Sequence, residues 1–157
     1  MHHEEAQDRS PAIRLGVKGW DWPDWEHTFY PPGMPPDWQL TFYNTQFQCV
    51  FVPEARWRGA SVEELSQWAE DTHDQFLFLL EGDEGLEIPA PLLGKARGIS
   101  PQDVCIIWFD AHTDLKELAG VLRDGGGGGE RFVLAREGDL AQIERVRTLL
   151  ELLGVMA

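Results

Sequence analysis

Asp110, His112 and Asp114 stand at alternate positions in Trp108-Phe109-Asp110-Ala111-His112-Thr113-Asp114, directly after an apolar run. Alternation in an extended segment aims every second side chain the same way. Two carboxylates and an imidazole form a donor set suited to a divalent ion. A metal held there would polarise a carbonyl or activate a water, as a metal-dependent hydrolase requires. The plainer account makes Asp114 the N-cap of the next helix and Asp110 a loop residue, each satisfying backbone N–H groups. A second constellation lies near the N-terminus, where Lys18, Trp20 and Asp21 are followed by Trp22 and Trp25. Indoles at the end of a strand wall a pocket or close a core, and Lys18 and Asp21 would give such a pocket its polar groups. Arg136 also ends an apolar run, where its guanidinium can clamp a carboxylate or a phosphate; a salt bridge to a nearby acid is the simpler fate. His27 and His73 are isolated. The chain has no Gly-x-Ser-x-Gly, dinucleotide-binding or phosphate-loop glycine pattern.

These residues need a frame. Five short runs rich in Val, Ile, Leu or Phe recur: Ile13 to Val17, Cys49 to Val52, Phe76 to Leu80, Val104 to Phe109 and Phe132 to Ala135. They show little alternation, as expected of strands covered on both faces. Helical patterns fall between them. Leu40, Tyr43 and Phe47 share one face. Ser61 with Glu64, Asp114 with Glu117 and Asp139 with Gln142 carry N-terminal capping signals. Gly154 follows the last apolar position of the final helix and stops it. Residues 82–103 are rich in Gly, Pro and acids, with a short helix expected near Leu92 to Ala96. Gly125 to Gly129 is a connector. Strand–helix alternation at this spacing predicts a parallel α/β sheet of about five strands in one domain over residues 12–157, preceded by a flexible arm over residues 1–11.

The opening of the domain carries a more specific string. It reads Ile13-Arg14-Leu15-Gly16-Val17-Lys18-Gly19-Trp20-Asp21-Trp22-Pro23-Asp24-Trp25, then Phe29-Tyr30-Pro31, then Leu40, Tyr43 and Phe47 at helical spacing. This resembles the YecE-like family (DUF72), uncharacterised proteins with a TIM-barrel fold. The resemblance implies a shortened, TIM-barrel-like domain, since an eight-unit barrel takes roughly 250 residues and this chain has 157. It also implies polar groups at the strand ends, where barrel active sites form. Several of these are replaced. The family's Glu and its second polar group after the first helix fall on Phe51 and Pro53, and its Lys after the third strand on Glu81. Of its Glu-x-Arg near the fifth strand only Arg136 is kept. Separately, Asp110-Ala111-His112-Thr113-Asp114 is similar to a manganese-binding signature of the arginase and agmatinase group, although that group's upstream histidine and downstream Asp-x-Asp pair are missing.

The net charge of −14 sets further bounds. Nucleic acids and anionic membranes are repelled by such a field, and no run reaches the roughly 20 apolar residues of a membrane span. Cys49 and Cys105 lie in apolar runs without metal or redox spacing, which suits free thiols in the cytoplasm. The expectation is therefore a degenerate, non-catalytic YecE-like domain that binds a small ligand through Lys18, Trp20, Asp21 and Arg136, or assembles with copies of itself through an exposed sheet edge. It takes no cofactor. The alternative is a hydrolase holding a divalent metal on Asp110, His112 and Asp114.

Overall fold

The computed structural model describes residues 13–124 and 129–156. The expected arm, residues 1–11, and residues 125–128 of the glycine run lie outside them. Six strands form one sheet: β1 (Ile13–Lys18), β2 (Cys49–Val52), β3 (Leu77–Glu81), β4 (Ala96–Ile99), β5 (Ile106–Phe109) and β6 (Arg131–Ala135). Five helices accompany them: α1 (Gln39–Gln46), α2 (Glu54–Arg58), α3 (Val62–Glu70), α4 (Leu115–Asp124) and α5 (Leu140–Leu153). The strand order is β4-β3-β2-β1-β6-β5, with every pairing parallel. This is the cyclic order of a barrel. The last strand but one follows β4 in the chain, the last strand lies beside the first, and the sheet is open only between β4 and β5.

The sheet also curls as a barrel does. In a flat sheet β2 and β5, three strand spacings apart, would be separated by about 14 Å. Instead Phe51 of β2 and Trp108 of β5 meet edge to face with ring centroids 5.1 Å apart. Arg97 of β4 likewise reaches across to lie over Phe132 of β6, 5.1 Å from its ring, and pairs with Glu130 at 3.2 Å. The architecture is a curled, partial TIM-barrel-like sheet. Cys49, Phe51, Leu79, Ile99, Ile106, Phe132 and Leu134 fill its concave side. The larger core, which includes Leu15, Val17, Val50, Phe78 and Ile143, lies between the convex side and the helices.

The sheet has one strand more than the sequence predicted. β4 reads Ala-Arg-Gly-Ile and carries no apolar run, so nothing in its composition announces a strand. Pairing defines it, with Phe78 opposite Ala96 and Glu81 opposite Ile99. Gly98 is required there, because a Cβ would lie 2.4 Å from the carbonyl oxygen of Asp83. The helix expected near Leu92 to Ala96 is only a single 3-10 turn, Ala90–Leu92. The outer edges of β4 and β5 pair with no other strand among the described residues, and a second copy adding to the sheet would do so there.

The helix signals have local causes. Ser61 Oγ accepts the N–H of Glu64 at 3.0 Å, and Asp139 Oδ1 that of Gln142 at 3.0 Å. Gly154 takes the left-handed conformation, φ 68°, and ends α5. α1 is fixed by long-range bonds. The Tyr43 hydroxyl accepts the Val17 N–H at 2.9 Å and donates to the Cys49 carbonyl at 2.8 Å, so it sits between β1 and β2 in place of a direct ladder bond. Burial holds the phenols of Tyr43 and Tyr30 protonated, well above their ordinary range.

Tyr43→Phe keeps the ring and leaves both backbone groups without a partner, at about 1–3 kcal/mol each. Urea unfolding at neutral pH is expected to show a loss of about 2–6 kcal/mol for this variant. An unfolded chain releases phenolic protons near pH 10 whereas the fold retains them. Stability is therefore complete below that pH and falls as pH rises past it. The fall should be shallower in Tyr43→Phe, and equal slopes would show that Tyr43 does not carry the effect.

Candidate functional site

The parallel strands all deliver their C-terminal ends to one rim, where the βα loops gather. β1 ends in Lys18, and Gly19, at φ 82°, turns the chain while its N–H bonds the Phe51 carbonyl at 2.9 Å. The turn sends Trp20 back into the core, edge to face with Trp68 at 5.1 Å. The segment that follows is anchored across the rim: Trp25 is fully buried, and its Nε1 donates to the Gly138 carbonyl beyond β6 at 2.8 Å. The Tyr30 hydroxyl donates to the Trp20 carbonyl. These bonds draw the loops after β1 and β6 together.

Between them lies a hollow of ≈ 260 Å³. Lys18, Trp20, Asp21 and Arg136, the four residues expected from the sequence to bind a ligand, all line it. Trp22, Pro53 and Arg56 complete the wall. Arg56 comes from α2, immediately after β2. Its Nη1 pairs with Asp21 Oδ2 at 2.5 Å, and its guanidinium lies 4.5 Å from the Trp20 ring and 5.6 Å from that of Trp68. Arg136 rests on Trp108, 5.0 Å from the ring. Lys18 and Arg136 are exposed, and neither has a carboxylate within 4.0 Å among the described residues. The hollow thus holds three cations against one acid, and that acid is already paired.

Sequence reasoning placed Trp22 among the indoles of a pocket wall but passed over Arg56. A cation in the first turn after a strand end was the available signal for Arg56, but its position depends on two indoles brought from distant parts of the chain. Trp22 has a buried Nε1 with no hydrogen-bond partner among the described residues.

The replaced strand-end positions have structural work. Phe51 faces the concave core against Trp108. Pro53 precedes α2, whose first N–H, on Glu54, is accepted by Glu81 Oε1 at 2.8 Å. Trp57 Nε1 donates to the Glu81 carbonyl at 3.2 Å.

Asp110, His112 and Asp114 lie in the turn between β5 and α4, away from this hollow's lining. Asp110 Oδ1 accepts the His112 N–H at 2.9 Å, and its own N–H donates to Thr113 Oγ1 at 2.9 Å. Asp114 Oδ1 accepts from Lys116 N at 2.8 Å and weakly from Glu117 N at 3.4 Å, an N-cap on α4. His112 is exposed. Among the described residues no group of three or more His, Cys, Asp or Glu side chains is placed to hold a metal ion. The donor set does not fit one here, because the two carboxylates are turned to backbone N–H groups rather than to a common point. Both cysteines are free, Cys49 buried and Cys105 half-buried. No helix among the described residues is long and apolar enough to cross a membrane.

Residues 14–85 match the family model described as a protein of unknown function, DUF72. Over that stretch the chain is similar to the DUF72 family. Two solved structures are also similar. A DUF72 family protein from Thermotoga maritima matches at 15% identity and a TM-score of 0.41, with 92% of this chain and 63% of that one covered. A DUF72 family protein from Enterococcus faecalis matches at 16% identity and a TM-score of 0.36, covering 90% of this chain and 58% of that one. The chain therefore spans less than two thirds of the length of either DUF72 protein. No curated protein matches.

The hydrogen bonding of the 110–114 turn leads to a direct expectation. Metal-stripped protein should melt at the same temperature with and without manganese, magnesium or zinc. His112→Ala, run beside it, controls for chelation by His2 and His3. A metal-induced rise in the parent that disappears in His112→Ala would show that the turn rearranges to bind the ion.

Proposed function

We propose that this domain binds a small anionic molecule, one bearing a carboxylate or phosphate group, in the hollow at the ends of β1, β2 and β6, and performs no chemistry on it. The observation that carries the reading is the meeting of Lys18 and Arg136, without carboxylate partners among the described residues, in a chain of net charge −14. Two such cations side by side in so acidic a molecule attract anions to the hollow. Arg136 supplies a planar fork of donors and Lys18 a mobile point charge. Trp20, Trp22 and Pro53 give the ligand's body an apolar surface, and ligand sites generally combine such walls with a few polar groups.

The absence of turnover in this reading rests on what surrounds the hollow. General-base chemistry on a bound anion needs a free carboxylate or imidazole within reach. Asp21 is held by Arg56, Glu81 caps α2, and the positions after β2 are Phe51 and Pro53. What the site offers is charge and shape.

Titration calorimetry with inorganic phosphate, benzoate and citrate is expected to give saturable binding of at least one of them to the parent. Lys18→Ala and Arg136→Ala should each weaken it by about tenfold, roughly 1.4 kcal/mol. No saturation at millimolar concentrations, or unchanged affinity in both variants, would remove the hollow as the ligand site.

A further inference from the structure

A second hollow has the opposite chemistry. It lies between the 3-10 turn Pro36–Trp38 with α1 on one side and α3 on the other, and its volume is ≈ 880 Å³. Its apolar lining comes from Met34, Trp38 and Phe42. Its polar rim includes Asp37, Glu63, Glu64 and Asp71, with no Lys, Arg or His among the lining residues. Trp38 is 62% exposed, and Val62, the residue before Glu63, is 66% exposed. An indole held open to solvent beside a groove keeps a large apolar area in water, and Trp is the side chain most enriched where binding energy concentrates at interfaces.

We propose that this groove docks a basic segment of a partner protein, one that places an apolar side chain against Trp38 and Phe42 and its Lys or Arg residues along the acidic rim. Three features decide between occupants. Charge selects a cation, since four carboxylates face the groove and no cation lines it. The same charge argues against a second copy, because each copy of a −14 chain would bring like charge to the rim. The apolar lining and the open path between two helical elements suit an amphipathic peptide laid along the groove more than a bare ion. A Lys or Arg crossing Trp38 also gains from the face of the ring.

The groove and the anion hollow are neighbours of opposite sign. A small cleft between them shares Asp37, Glu64 and Asp71 with the groove, and Trp20, Asp21 and Arg56 with the hollow. The Arg56–Asp21 pair, seated on Trp20, separates the two. The proposal therefore does not depend on what the hollow binds.

Fluorescence anisotropy with a labelled amphipathic peptide of Leu and Lys, at physiological salt, tests it. The expected result is saturable binding in the micromolar range, weakened about tenfold or more by Trp38→Ala and by the pair Asp37→Asn and Glu63→Gln. All three positions are exposed, so the variants should fold as the parent does. The pair Glu117→Gln and Asp124→Asn, on α4, should leave the affinity unchanged. Equal loss from that remote pair would mean diffuse attraction to an acidic surface and would overturn the proposal. So would full affinity in Trp38→Ala, equal binding of the same peptide with Glu in place of Lys, or displacement of the peptide by tetrabutylammonium at matching concentration, which would assign the groove to small cations.

Discussion

One hydroxyl group holds the first two strands in register with the helix that packs on them. In a parallel ladder the Val17 N–H would bond directly to a carbonyl of β2; here Tyr43 stands between them and serves both. On either side of that point the strands recover by other means. The Leu15 N–H bonds the side-chain oxygen of Gln48 at 3.0 Å, and the Gly19 N–H reaches the Phe51 carbonyl. The position of α1 is thus part of the sheet's own hydrogen bonding. Since Tyr43 stacks on Phe47 at 4.6 Å and lies near Trp25 at 6.3 Å, the loop carrying Trp20 to Trp25 is placed by the same residue. The rim at which ligands would meet the protein follows from this internal constraint.

A second constraint acts on the concave side. A wider barrel interior has room for polar groups at the strand ends, but six strands that curl until Phe51 touches Trp108 leave only enough space for a core. A carboxylate at residue 51 would be buried against Trp108 without a partner, a costly arrangement. Charges on this side stay in contact with water: Arg14 and Arg97 both pair with Glu130, and Arg97 lies over the Phe132 ring. Cationic side chains are consequently found at the rim, where Lys18 at the end of β1, Arg56 in α2 and Arg136 after β6 remain in contact with water.

The sequence made strands legible wherever the chain repeats apolar residues, and helices wherever a cap is local. Ser61, Asp139 and Gly154 act on groups within a few positions of themselves, which is why their roles can be read directly. β4 was not legible, because Arg97 and Gly98 are explained only by Glu130, Phe132 and Asp83. Val104, expected in the fourth apolar run, is 96% exposed; residues 100–105 must carry the chain back from the end of β4 to the start of β5, and a segment crossing the open side of the sheet has no layer to cover it. At the rim, Lys18, Trp20, Asp21 and Arg136 could be found because strand ends of βα units converge. Arg56 could not, since its place is set by Trp20, Trp68 and Asp21. Glu81 reads only as a replacement for the family's Lys until its bond to the distant Glu54 N–H is seen.

The pairing of β6 beside β1 has a consequence for how the molecule comes into being. Ile13 forms its ladder with Arg131, from the far end of the chain. On a ribosome, β1 through β4 are complete and able to pair while the other edge of β1 still waits for a partner. Loop closure over so much chain is slow compared with local helix and strand formation. Until it happens, an apolar strand edge is open to neighbouring nascent chains. The acidity spread along the chain keeps such chains apart during that interval, so the net charge acts on the unfinished molecule as well as on the finished one.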